Sequence, residues 1–209
     1  MKCLDDLLEA VQGRAVKKIA IAVPEEPGLI KLVKQATEQR LAEFILIGDE
    51  DRIKELLSEQ DLDFKDFEIQ DRKDHKQAAE RAVSLVVEKM AEVVMKGELH
   101  TATFLKAVLG KEKGLRTGSL ISEITLYDKN EGGGIRLITD CAMNINPTLD
   151  EKKQIIENAV ELARKLGYEK PRVAVLSALE VVNPAIPDTL DAAILSKMAD
   201  RIWIGKSIM

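Results

Sequence analysis

Aromatic residues are scarce. One tryptophan, two tyrosines and four phenylalanines make up 3% of the 209-residue chain. This excludes the stacking platforms on which single-stranded nucleic acid lies. A basic excess is also missing. The 31 Lys and Arg are outnumbered by 36 Asp and Glu, a net charge of -5 with both signs interspersed, whereas a nucleic-acid face would be basic. Only two cysteines occur, Cys3 and Cys141, too few and too far apart for a disulfide framework. They read as reduced thiols of a cytoplasmic protein, and nothing pairs Cys141 with a base that would make it a nucleophile. His75 and His100 lie outside any zinc-ligand spacing, so no metal site is expected. No apolar run approaches the ~18 residues of a membrane span. The N-terminal Met-Lys-Cys-Leu-Asp-Asp stretch carries acids where a signal peptide has its apolar core, so no membrane partner is expected.

What is present is a strict rhythm. Hydrophobic residues make up 45% of the chain, enough for a substantial core. Leu4, Leu7, Leu8 and Val11 fall at helical spacing before Gly13. Apolar runs then alternate with amphipathic segments. Ile19–Val23 predicts a buried strand, and Pro27 opens a helix bearing Leu29, Ile30, Val33 and Ala36. Phe44–Ile47 predicts a second strand, and Gly48-Asp49 starts a capped helix with Ile53, Leu56 and Leu57. Phe67-Glu68-Ile69 is a weaker strand. A helix from Asp74 to Met90 carries Ala79, Ala82, Val83, Val86, Val87 and Met90 on one face. Val93–Met95 is the next strand, and Thr101–Leu109 the next helix. Strands that are continuous apolar runs alternating with helices imply an α/β/α fold, a parallel sheet covered on both faces.

The rhythm breaks after Gly118. Ser119–Tyr127 and Gly134–Thr139 flank Asp128–Gly133 and predict an antiparallel pair. A boundary here gives an N-terminal α/β domain, residues 1–117, and a second, residues 118–209. Beyond it, Thr148 and Glu151 form a capping box for a helix through Leu166. Arg172–Leu176 predicts another strand, and Asp188–Ala199 a last helix. The tail Arg201–Met209 holds the only tryptophan and leaves an open sheet edge, which points to self-association as a possible homo-oligomer.

Ligands of wound sheets gather at the carboxyl ends of strands, and three loops qualify. In the first, Lys96, Gly97, His100 and Thr101 join a strand to a helix start, with Lys106 further along. Gly97 permits close backbone approach, and the helix N-terminus with an ammonium suits an anion. The competing reading is an ordinary turn with a solvated lysine. In the second, Asp140–Pro147, Asp140, Asn144 and Asn146 offer hydrogen-bonding capacity, although capping by Asn and Asp is common in loops. The third runs from Ser177 past Glu180 to Asn183. No Gly-x-Ser-x-Gly elbow surrounds its serine, so the plainer reading is a strand-end cap. No phosphate-binding P-loop and no dinucleotide fingerprint is present, which argues against a dehydrogenase sharing the fold.

Taken in order, several pieces resemble the phosphate acetyl/butyryl transferase family, and in particular its butyryl members. They are Met95-Lys96-Gly97-Glu98-Leu99-His100-Thr101, Phe104–Leu109, Gly114-Leu115-Arg116-Thr117-Gly118, Asp140–Pro147, Lys153 and Pro171–Pro184. The likeness runs from near Lys17 to about Asp200. The resemblance implies reversible transfer of an acyl group between phosphate and coenzyme A. It also implies a two-domain architecture like that of isocitrate and isopropylmalate dehydrogenases, with the site in the interdomain cleft. Coenzyme A enters as a substrate, with no tightly bound cofactor and no metal in the chemical step. Within it, Lys96, Lys106 and the helix start near Thr101 suit the phosphate, and Arg116 the coenzyme's phosphates. Acyl-CoA, phosphate and acyl phosphate are the small-molecule partners implied.

Two departures stand out. Family members continue past the position of Asp200 into a block holding the serine and aspartate usually assigned to oxyanion stabilisation and base work. Here the chain turns into Arg201-Ile202-Trp203-Ile204 and ends, so the second domain is expected to be incomplete and the catalytic residues are unknown. Ser122-Glu123 also carries glutamate where histidine is frequent. The alternative to an active transferase is therefore a truncated, non-catalytic phosphate- and coenzyme A-binding remnant.

Overall fold

The computed structural model describes residues 3–128 and 134–201. These fall into two compact units. One spans Leu8–Thr117, and the other runs from Gly118 onward and takes in the residues up to Leu7. The division falls inside the first helix, α1 (Asp5–Val11), which buries none of its residues. Of the predicted apolar stripe of Leu4, Leu7, Leu8 and Val11, all but the half-buried Leu7 lie exposed.

The Leu8–Thr117 unit is a four-stranded parallel sheet with helices on both faces. Its strands are β1 (Lys17–Ala22), β2 (Ala42–Gly48), β3 (Glu68–Asp71) and β4 (Val93–Lys96), in the order β3-β2-β1-β4. Ile19–Ala22 pair with Phe44–Ile47 on one side and with Val93–Lys96 on the other. Both faces of β1 and β2 are apolar because both are covered, and the period of two divides them cleanly. Ile21, Phe44 and Leu46 face helices α2 (Pro27–Glu38) and α3 (Glu50–Glu59), packing on Ile30, Val33, Ile53, Leu56 and Leu57. Ala20, Ala22, Ile45 and Ile47 face α4 (His75–Val87) and α5 (Thr101–Val108). That second face is built from Ala78, Ala79 and Ala82, whose small side chains let α4 lie close to the sheet. Each fully buried Ile or Leu contributes about 1.5–3 kcal/mol relative to exposure.

Local chemistry sets where the helices begin. Glu26 caps α2, its carboxylate accepting from the N–H groups of Gly28 (2.9 Å) and Leu29 (2.7 Å), with Pro27 at the first helical position. Asp49 caps α3 and Asp74 caps α4 in the same way. The face of α4 differs from expectation. Val87 ends the helix and Met90 lies beyond it, both about half exposed, while Ala78 and Leu85 take the buried places.

In the other unit, β5 (Thr125–Asp128) and β6 (Ile135–Ile138) form the antiparallel pair, and residues 129–133 between them lie outside the described set. Helices α6 (Leu149–Lys165) and α7 (Pro187–Asp200) follow. Thr148 and Glu151 form the full capping box of α6. The predicted strand Arg172–Leu176 is not one. Among the described residues it has no neighbouring strand, and an isolated extended segment cannot satisfy its backbone groups by pairing. The tail from Ile202 lies outside the described residues. No helix among those described is long and apolar enough to cross a membrane.

Candidate functional site

The strand order turns from leftward to rightward between β1 and β4, the place where wound sheets open a crevice at their carboxyl ends. Two loops leave the sheet here and are laced together. The Gly97 N–H donates to the Ala22 carbonyl (2.8 Å) and the Glu98 N–H to the Val23 carbonyl (2.6 Å). Val23 itself holds a φ of +57°, a left-handed conformation that a β-branched residue adopts only where its surroundings impose it, here partly through its N–H to Ile47 (2.8 Å). A Cβ on Gly97 would collide with the carbonyl oxygen of Val23. The close approach expected of Gly97 is therefore made by the chain's own β1 loop.

Lys96 braces the same turn. Its Nζ donates to the carbonyls of Gly97 (3.1 Å) and Leu99 (3.0 Å), which leaves one of three ammonium hydrogens for another acceptor. His100 is the N-cap of α5, extended in backbone and contributing no side-chain cap. The first N–H groups of α5, beginning at exposed Thr101, thus lack the side-chain acceptor that caps α2, α3 and α4. An uncapped helix start beside a lysine is an environment that favours an anion. Lys106 lies in the last turn of α5, about 7.5 Å along the axis from Thr101. Exposed Arg116 follows the turn where the Gly114 N–H donates to the Gly110 carbonyl (3.0 Å) and the Leu115 N–H to the Val108 carbonyl (2.7 Å) at the end of α5.

The Asp140 loop is held from within. The Asp140 carboxylate accepts from the N–H groups of Ala142 (3.1 Å), Met143 (2.9 Å) and Asn144 (3.2 Å), and from the Asn144 side-chain amide. Partial burial pushes the Asp140 carboxyl up, but the hydrogen bonds from Met143, Asn144 and Ala142 outweigh it and hold the group below the usual range. Asn144 also donates to the Ile121 carbonyl (3.0 Å), and Asn146 sits at φ +57°. Of the three polar side chains singled out in sequence, Asp140 and Asn144 therefore shape their own loop.

Ser177 and Glu180 come together with Leu179, Val181 and Thr189 around a half-open cavity of about 250 Å³, and the buried Ser177 Oγ has no hydrogen-bond partner there. Asp140 and Asn144 are not among the residues lining this cavity. Lys96 and the α5 start belong to the Leu8–Thr117 unit, and Asp140 and Ser177 to the other.

Three residues carry structure that the sequence did not announce. Glu25, next in the β1 loop, lies against Gly48 and accepts from the Asp49 N–H (2.6 Å), while its second oxygen is buried without a partner. Burial is the main force raising its pKa. Glu123 buttresses the Asp140 loop by accepting from the Cys141 N–H (3.3 Å), and its carbonyl accepts from Thr139 Oγ1 (2.5 Å). Lys152 ties α6 to α7 through Asp188 (2.6 Å) and Asp191 (2.7 Å). The only advance signals were a glutamate just after an apolar strand, the Glu123 substitution, and basic and acidic residues on facing helices. Among the described residues, no three His, Cys, Asp or Glu side chains are placed to hold a metal ion.

Fold and loop together define a parallel α/β protein with an uncapped helix start at its topological switch. The sequence matches the family described as phosphate acetyl/butaryl transferase over residues 2–86 and 74–205, and the chain belongs to that family. It is 41% identical over 201 residues to the phosphate butyryltransferase of Clostridium acetobutylicum, covering 96% of this chain and 67% of that relative. It is 38% identical over 205 residues to the phosphate acetyltransferase of Rickettsia felis, covering 98% and 59%. Among solved structures, the branched-chain phosphotransacylase from Enterococcus faecalis V583 superposes with a TM-score of 0.69 at 29% identity, covering 87% of this chain and 63% of that one. The chain thus spans about two thirds or less of the length of these relatives.

Proposed function

We propose that this chain moves a short acyl group between phosphate and coenzyme A. In one direction the coenzyme A thiolate attacks the carbonyl carbon of an acyl phosphate. The C–O bond to phosphate breaks, and thioester and free phosphate leave. In the other, a phosphate oxygen attacks the thioester carbonyl and the thiolate departs. Such chemistry requires a seat for a dianion and an orientation of two charged reactants. The observation that carries the reading is the turn from β4 to α5. There a brace of Lys96 against Gly97 and Leu99 fixes one ammonium hydrogen beside free helix N–H groups. We assign Lys96, His100 and Thr101 to the phosphate side. Gly97 is assigned to the packing that holds the turn. Lys106 and Arg116 are assigned to the coenzyme's phosphates, and Asn144, Asn146, Ser177 and Glu180 to the remaining substrate contacts, with Asp140 shaping their loop. The names of the relatives, butyryl and acetyl transferases alike, support the substrate class. With it go a dehydrogenase-like two-domain architecture, coenzyme A as a substrate and not a resident cofactor, and a cytoplasmic place of work.

The test is release of free thiol from butyryl-CoA by the purified chain, followed with a thiol reagent. The expected result is release that depends on phosphate and saturates with it. Absence of release together with calorimetric binding of coenzyme A would replace the transferase by a binding protein of the same family. Absence of both would overturn the assignment.

A further inference from the structure

Glu25 occupies a costly position at the carboxyl end of the sheet. One of its carboxyl oxygens accepts from the Asp49 N–H (2.6 Å), and the other is buried with no partner. The group lies so close over Gly48 that a Cβ there would collide with both oxygens. Neither a helix cap nor the core accounts for a carboxyl held this way, since α2 is capped by Glu26 and α3 by Asp49.

The loop that Glu25 closes contains a strained residue. Val23 stands at φ +57°, where a β-branched side chain crowds the backbone. Its N–H donates to the Ile47 carbonyl (2.8 Å), and its carbonyl accepts from the Glu98 N–H (2.6 Å). Pro24 follows and has no N–H to offer. Among the described residues, the first hydrogen bond downstream that reaches another element is the one from Asp49 to Glu25. A strained residue persists only where its surroundings over-determine it. Were the loop released, Val23 would relax to negative φ, and that rotation would swing its carbonyl away from Glu98.

We propose that Glu25 is a positioning residue for the β4–α5 turn: wedged between Gly48 and the Asp49 N–H, its carboxyl keeps Val23 left-handed, and the Val23 carbonyl in turn sets Gly97 and Glu98 in place before phosphate arrives. The linkage runs from the end of β2 through the β1 loop to the end of β4, three strands that lie side by side within one unit. A turn set in advance lowers the ordering cost of binding. The ligand half of the proposal rests on the phosphate seat assigned above, and the mechanical half does not.

Hydrogen–deuterium exchange of the Gly97 and Glu98 amides reads the lacing, and amide shifts during titration with inorganic phosphate read the seat. Glu25→Ala should speed both amides about tenfold by local opening, while the amides of Ile21 and Ile45 in the strands keep their rates. Phosphate should bind about fivefold more weakly. Glu25→Gln keeps an acceptor for the Asp49 N–H and should restore both readouts to within about twofold of wild type. Gly48→Ala leaves Glu25 in the sequence but displaces its carboxyl. It should reproduce Glu25→Ala, and it serves if that variant fails to fold. Unchanged exchange at Gly97 and Glu98 in Glu25→Ala and Gly48→Ala would overturn the proposal. So would faster exchange spread evenly over the sheet, or no recovery in Glu25→Gln. A wild type that binds no phosphate, with exchange responding as expected, would remove the phosphate reading and leave the brace standing.

Discussion

At the scale of single residues, the turn after β4 owes its shape to contacts that leave almost no freedom. Gly97 is fixed by the Val23 carbonyl, a backbone group that cannot rotate away. Gly97→Ala should cost about 1–3 kcal/mol and shift the helix start, seen as a lower denaturation midpoint and weaker phosphate binding together. Asp140 is the hub of its loop. Its lowered carboxyl contributes stability that is complete above the ordinary aspartate range and is lost as the pH falls through the lowered value. Asp140→Asn should therefore cost about 1 kcal/mol at pH 7, allowing for solvent screening, and the difference should close as wild type loses its share in acid, measured by urea unfolding across pH. Glu25 works in the opposite sense. Burial raises its pKa, so its favourable contribution is full below the ordinary glutamate range and is lost as the pH rises through the raised value. Glu25→Gln keeps an acceptor for the Asp49 N–H and should melt higher than wild type at pH 8, with no such gain near pH 4.

At the scale of elements, the contrast among helix starts is informative. Glu26, Asp49, Asp74 and Thr148 all cap their helices by side chain, and His100 does not. A helix left uncapped beside a braced lysine is the arrangement that an anion completes. His100→Asp would supply the missing cap. It should stabilise the chain by about 1 kcal/mol in thermal unfolding while reducing phosphate affinity several-fold, because the new carboxylate competes for the same N–H groups. Stabilisation without loss of phosphate affinity would remove α5 from the site. Much at this scale was legible in the residues. Ile19–Val23 and Phe44–Ile47 announced buried strands because both of their faces meet helices. Pro27, Asp49 and the Thr148–Glu151 pair announced helix starts because capping is local chemistry. Arg172–Leu176 read as a strand for the same apolar reason and is not one, because pairing depends on a neighbour that composition cannot supply. Val87 and Met90 read as buried because periodicity does not say where α4 stops.

At the scale of the whole molecule, two apolar clusters sandwich the sheet of the Leu8–Thr117 unit. The other unit buries Ile135, Ile155, Val160, Ala163, Leu166 and Leu195 and adds named polar ties. These are the Lys152 link between α6 and α7, and the Asn158 amide reaching the Leu120 carbonyl (3.0 Å) and Ser122 Oγ (2.9 Å). Sequence reasoning singled out the Lys96 and Asp140 loops but not their internal wiring. Lys96, Asp140 and Asn144 were chosen as groups that could meet a ligand, and each also serves its own loop. Hydrogen bonds between residues one to four apart are invisible in a pattern of polar letters.

The central claim is that the β4–α5 turn seats phosphate, and backbone amide NMR during a titration with inorganic phosphate tests it most directly. The account predicts saturable shifts centred on Glu98 through Thr103, weakened in Lys96→Ala. Shifts confined to other helix starts, or none at millimolar phosphate, would contradict it.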